Sequence, residues 1–234
     1  MQRGLLLLLF GVLFRSVMLV FTAFVSHPLA YALVLAAAYL PLFLGARLYT
    51  GRRPKGAPAS LGTSLLYTAL LLCPLLFCSM TLSRLAELLA GAPLATALPP
   101  APLFLSLVLL PALLEELFFR QGVLSLLSDT GVSPLTALLL SALLFMAAHG
   151  QAAAFPYTLA AGLVLGLVTL ATGRIFPSVL LHLANNALSL CLMGGTRAAY
   201  IAVWVTVGVL SLPSLYLLFI KCKIHKEISR GKRV

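Results

Sequence analysis

An all-α, polytopic membrane bundle of about eight transmembrane helices is the fold class this sequence predicts, and three observations carry the prediction. Of the 234 residues, 62% are hydrophobic and 9% are charged, against about 25% charge in soluble chains. The apolar residues come in long unbroken runs, not in the alternating ten-residue segments of a membrane barrel. At ~20 residues per span the chain has room for roughly seven or eight crossings and little extramembrane domain. The same composition excludes a soluble globule, a disordered chain, collagen and a disulfide scaffold.

The first two spans are expected at 4–26 and 29–46, separated by His27 and Pro28, which favour a tight turn. Arg3 ahead of a hydrophobic run resembles the start of a secretory signal, but the run continues past Arg15 to Val25 and fits a first span better. Glycine, proline and charge in 47–60 mark an aqueous loop. A third span follows at 61–80. Arg84 and Glu87, three residues apart in the otherwise apolar segment 83–90, predict a short helix lying on the membrane, and a proline-rich connector runs to Pro102. Five more spans are expected at 103–127, 134–149, 155–172, 176–193 and 198–220, with turns at Asp129, Gly131, Gly173 and Gly194. The chain divides into 1–100 (N-terminal spans, basic loop and interfacial helix), 101–195 (a candidate catalytic core) and 196–234 (a last span and a basic tail).

The net charge of +11 does not call for nucleic acid. Arg47, Arg52, Arg53 and Lys55 form one basic cluster, and Lys221, Lys223, Lys226, Arg230, Lys232 and Arg233 form another. Both abut hydrophobic spans, where basic residues stay on the cytoplasmic side and attract anionic lipid headgroups. Eight spans put both clusters and Arg174 on that side, with a cytoplasmic C-terminal tail. The preference for Arg over Lys and the small size point to a bacterial cytoplasmic membrane. Cys73, Cys78, Cys191 and Cys222 show no C-x-x-C spacing and read as small buried hydrophobes. Gly162 and Gly166 give the G-x-x-x-G spacing of close helix packing, and Tyr200 and Trp204 suit an interfacial aromatic belt.

Chemistry concentrates after residue 100. Glu115, Glu116 and Arg120 stand in an expected membrane helix, where each charge costs ~2.5–3.5 kcal/mol on insertion scales. Glu116 and Arg120 are one turn apart and can pair. Glu115 lies about 100° round the helix without that partner. Removing a carboxylate from water disfavours its charge, which suits a group that accepts and returns protons. Two more pairs share helix faces at i,i+4: Phe145 with His149, and His182 with Asn186. Histidine offers proton transfer or metal ligation, and an asparagine amide one turn on offers a neutral donor to an oxyanion. A lone buried histidine is usually a satisfied core residue and a Glu–Arg pair is often structural. Two glutamates, an arginine, two histidines and an asparagine on three apolar spans point instead to a site. Phe118 and Phe119 flank it as core or lipid contacts.

The order Glu115-Glu116-x-x-x-Arg120, Phe145-x-x-x-His149, His182-x-x-x-Asn186 on membrane helices resembles the CPBP family, the CAAX proteases and bacteriocin-processing enzymes also called Abi proteins. The resemblance covers about 100–195. It implies an intramembrane endopeptidase in which Glu115 activates water with help from His149, while His182 and Asn186 donate hydrogen bonds to the tetrahedral intermediate. Glu116, Arg120 and Phe145 would then be structural or orienting. Glu115, His149 and His182 formally offer a two-His, one-carboxylate zinc site. H-E-x-x-H is absent, however, and the reading favours a metal-free glutamate and water mechanism with no cofactor.

Depth sets one difficulty. At 1.5 Å per residue Glu115 and His182 fall at similar depths, whereas His149, counted from Pro134 along a full span, falls near the far surface. The expected substrate is a membrane-associated protein or peptide: a C-terminal CaaX-like or sorting tail, or a leader peptide. Two rival readings are a proton-coupled transporter or channel, because intramembrane Glu, His and Arg also mark proton relays, and a non-catalytic scaffold or immunity protein. The transporter reading lacks the paired broken helices and inverted repeat common in such proteins.

Overall fold

The structure, a computed structural model, describes residues 30, 33, 34, 58–90, 101–149, 154–193 and 196–231. The two spans expected at 4–26 and 29–46, with Arg15, most of the 47–60 loop and the connector to Pro100, lie outside the described residues. Within them the fold is all-helical: α1 (Leu61–Ala90), α2 (Ala101–Glu116), a π-helical segment (Leu117–Leu124), α3 (Ser125–Asp129), α4 (Pro134–Ala148), α5 (Phe155–Thr172), α6 (Phe176–Met193) and α7 (Arg197–Gly231). α1, α5 and α7 contain stretches long and apolar enough to cross a membrane, whereas α4 and α6 are shorter apolar helices. α7 carries Val209, Leu212, Tyr216 and Phe219 at 62–72% exposure. Water would penalise such a surface, and lipid does not.

Two expectations about elements change. The interfacial helix at 83–90 is the last part of a continuous α1, because no breaker stands between Thr81 and Leu89 and Arg84 pairs with Glu87 one turn on. The helix expected to end at 220 continues to Gly231. Tyr200 and Trp204, read as an aromatic belt, hold α7 against α1. The Tyr200 hydroxyl donates to Met80 O at 3.0 Å, Trp204 Nε1 donates to Thr81 Oγ1 at 2.9 Å, and the indole stacks on Phe77 at 5.6 Å.

α1 packs against α5, α6 and α7, α4 pairs with α5, and α2 lies on α6. Successive helices alternate in direction, so one end of the bundle carries the 130–133 turn, the α5–α6 turn and residues 58–60. There Gly173, at φ +61°, closes α5 in the left-handed conformation that ends many helices. Ala59 N donates to Thr172 O at 2.9 Å and Arg174 Nε donates to Ala59 O at 2.7 Å. These two bonds clamp the chain ahead of α1 onto the core, and they place Arg174 as a fastener at this end.

The α4–α5 contact depends on glycine. A Cβ on Gly162 would stand 3.1 Å from Ala142 Cα, a backbone atom, whereas one on Gly166 would meet the movable Leu138 Cδ1 at 2.5 Å. Gly162→Ala is therefore expected to lower the unfolding temperature in detergent by the equivalent of the ~1–3 kcal/mol typical of overpacking. Gly166→Ala should cost less. The reverse order in thermal scans would contradict this account of the contact.

Candidate active site

Depth is settled by the helical hairpin that carries the first two motifs. Ser133 caps α4 by accepting from Thr136 N at 3.1 Å, with Pro134 in the first turn. Gly131, at φ +84°, turns the chain between Asp129 and Ser133. Counted from this turn, Glu115 and His149 stand at nearly the same number of residues along the two arms, the first running back from Asp129 and the second forward from Pro134. The helix expected at 134–149 is found at Pro134–Ala148, short for a full crossing, with His149 as its C-terminal cap. Equal arms place the two residues opposite each other: His149 Nε2 lies 3.7 Å from Glu115 Oε2.

The chain directly after the two glutamates adopts π-helical geometry over Leu117–Leu124. Such wide turns displace carbonyls from their usual partners and recur at functional sites. Here two serines supply donors. Ser141 Oγ of α4 donates to Phe119 O at 3.2 Å, and Ser125 Oγ donates to Arg120 O at 3.3 Å. Phe118 and Phe119 are buried in the core and face no lipid.

Glu116, Arg120 and His182 form the sealed half of the site. Arg120 Nε is 3.2 Å from Glu116 Oε2, an ion pair between side chains 1% and 0% exposed. Glu116 Oε1 also faces His182 Nδ1 at 3.0 Å, so one carboxylate joins the first motif to the third across α2 and α6. Arg120 Nη2 donates to Gly162 O at 3.2 Å, which gives the close α4–α5 approach a second role. The guanidinium carbon stands 4.5 Å from the centroid of the Phe145 ring, a cation–π contact of a kind that strengthens when desolvated.

Phe145 is the hub of the arrangement. Its ring meets His149 at 4.6 Å between centroids, His182 edge-on at 5.9 Å and Phe119 edge-on at 5.1 Å. One apolar ring thus sets the positions of both imidazoles and the guanidinium.

Hydrogen-bond partners fix the roles of the ring nitrogens. His149 Nδ1 is 2.8 Å from Phe145 O, and a carbonyl only accepts, so Nδ1 carries hydrogen. In the neutral ring Nε2 then presents a lone pair toward Glu115. At 3.7 Å the two acceptors are too far apart for a direct bond, and one water can donate to both while its own lone pair stays free. His182 donates from Nδ1 to Glu116 at 3.0 Å, which orients the ring. Nε2 then carries a hydrogen to offer an oxyanion only when the ring is protonated. Asn186 Oδ1 accepts from Asn185 Nδ2 at 3.5 Å, a long contact that leaves the Asn186 amide hydrogens as its free donors. Asn185, itself buried, had no place in the sequence reading, although its position beside Asn186 was in plain view.

Exposure separates the two carboxylates. The His149 side chain is 24% exposed and Glu115 6%, whereas Glu116 is fully enclosed. His149 is therefore the partly exposed member, with Glu115 buried behind it and Glu116 sealed in the charge cluster. With both glutamates ionised against Arg120 alone the cluster carries −1, so the two imidazoles stand beside an excess of negative charge. Among the described residues no three of His, Cys, Asp or Glu converge to hold a metal ion. The formal zinc trio Glu115, His149 and His182 does not gather as a ligand set.

Residues 96–188, a stretch that contains all three motifs, match the family model described as type II CAAX prenyl endopeptidase Rce1-like. The match covers less than half of the chain and falls on the stretch in which the motifs resemble the CPBP/CAAX proteases. No curated protein and no solved structure matches the chain.

Proposed function

We propose that this protein is an intramembrane endopeptidase that hydrolyses a peptide bond of a membrane-associated protein or peptide by glutamate-activated water. The observation that carries the reading is the 3.7 Å approach of Glu115 Oε2 and His149 Nε2, where the His149 side chain is partly exposed beside the charge cluster. A water donating to both groups is held with a lone pair directed at an incoming carbonyl. Glu115 takes one of its protons as oxygen bonds to carbon. The oxyanion is stabilised by the Nε2–H of protonated His182 and by the Asn186 amide. As the C–N bond breaks, the proton on Glu115 passes, with His149 as relay, to the leaving amine. The products are a new carboxylate and a new amine, so the balance is that of hydrolysis.

Candidate substrates are C-terminal CaaX-like or sorting tails and leader peptides, held beside the bundle in the membrane plane. The test is incubation of the purified protein, reconstituted in vesicles, with a library of membrane-tethered peptides, followed by mass spectrometry of the fragments. Internal cleavage without any pH gradient is the expected result. Proton-driven flux with intact peptides would replace the reading by a transporter.

The mechanism uses protein groups and water. Cleavage is therefore expected to survive a strong chelator at full rate. Complete loss under chelation, with recovery on adding zinc, would overturn the metal-free step.

A further inference from the structure

At the end of the bundle opposite Arg174 a cavity of about 300 Å³ opens between α1, the end of α6 and the start of α7. We propose that it binds the phosphate group of an anionic phospholipid. Two guanidiniums, Arg84 and Arg197, and one carboxylate, Glu87, line it, leaving an excess of one positive charge. Glu87 pairs with Arg84, whereas Arg197 has no carboxylate within ion-pair distance among the described residues. The cavity also holds the N-terminus of the 35-residue α7, whose first turn lacks an acidic residue. Thr196 Oγ1 caps Ala199 N at 3.2 Å, and the helix dipole together with the other N–H groups of the first turn favours an anion there.

A second observation is independent of the charges. Ser79 lines the cavity, is 5% exposed, and its Oγ has no hydrogen-bond partner. A buried hydroxyl without a partner costs about 1–3 kcal/mol, and a ligand oxygen in the cavity would remove that cost. Ser83, Ser189 and Thr196 add further hydroxyls. This set of donors exceeds what the two oxygens of a carboxylate can use and suits the larger number of oxygens on a phosphate ester. Met80 and Leu192 supply apolar wall, and the neighbouring Leu85, Leu88 and Leu89 are 47–80% exposed on α1. Acyl chains attached to the phosphate would lie along that surface. The site is remote from the basic tail, because α7 runs away from this end toward Gly231.

Trp204, the single tryptophan of the chain, stands one turn beyond Tyr200, which lines the cavity, so its fluorescence reports occupancy. The full chain in zwitterionic detergent is titrated with dihexanoyl phosphatidic acid, dihexanoyl phosphatidylcholine or inorganic phosphate. Saturable binding of the phosphatidic acid is expected, at least about tenfold weaker in the Arg84→Gln, Arg197→Gln double variant. Ser189→Glu, which keeps both arginines but adds a competing carboxylate, should show the same loss. A Lys221→Gln, Lys223→Gln, Lys226→Gln variant should titrate as the wild type. Unchanged affinity in both cavity variants, with helicity retained, would overturn the proposal. Equal saturation by inorganic phosphate would make the ligand a free anion and overturn the lipid assignment. Preferential saturation by an apolar peptide acid over its amide, with no response to the lipid, would do so in favour of a peptide terminus.

Discussion

Replacing Glu115 by Gln is expected to lower peptide cleavage by about 10²–10⁴-fold, the range ascribed to a positioned general base, while leaving the bundle folded. The amide matches the carboxylate in shape and can still hold the water that His149 Nε2 faces at 3.7 Å, but it cannot take the proton. The Glu116–Arg120 ion pair at 3.2 Å is left in place by this substitution. Rates measured beside unfolding curves in detergent separate the two effects. Undiminished turnover would remove Glu115 from the reaction.

Arg120→Met should produce the opposite pattern, a large loss of folded protein. Removing one partner of a buried ion pair typically costs ~3–5 kcal/mol because a charge is left uncompensated. Glu116, fully enclosed and shared between Arg120 and His182, has no solvent to fall back on. Adding Glu116→Gln should restore much of the folding, since the fully enclosed carboxylate is then gone. Cleavage should stay at least about tenfold down, because a neutral amide lacks the charge-assisted bond by which the carboxylate holds the His182 ring at 3.0 Å. An Arg120→Met protein as stable as the wild type, by expression level and thermal scan, would contradict the charge count of the cluster.

Much of this site was legible in the sequence, for a reason that is specific to membranes. Charge is so costly in an apolar span that Glu115, Glu116, Arg120, His149 and His182 stand out against their neighbours, and i,i+4 spacing pairs Glu116 with Arg120 without any tertiary information. Spacing within one helix says nothing about its neighbours, however, so the Glu116–His182 bond and the bond from Arg120 to Gly162 O were out of reach. Gly162 read as packing alone because a backbone carbonyl leaves no mark in the sequence. The apparent mismatch of His149 arose from treating 134–149 as a complete crossing. Counting both arms from the turn at 130–133 would have removed it. The π-helical geometry over Leu117–Leu124 had no local signature, since it depends on Ser141 reaching across from α4. The interfacial helix failed for another reason: an Arg84–Glu87 pair is equally at home on the surface of a longer helix.

The central claim is that water, held by Glu115 and His149, attacks the peptide carbonyl directly. It is tested by running one cleavage to completion in H₂¹⁸O with the vesicle-reconstituted protein and a membrane-tethered peptide, and weighing the fragments. The account predicts one internal cut, with a single ¹⁸O in the new carboxylate and no mass added to the protein at any time during turnover. A peptide–protein adduct that forms and decays at the rate of cleavage, or fragments lacking the label, would contradict it.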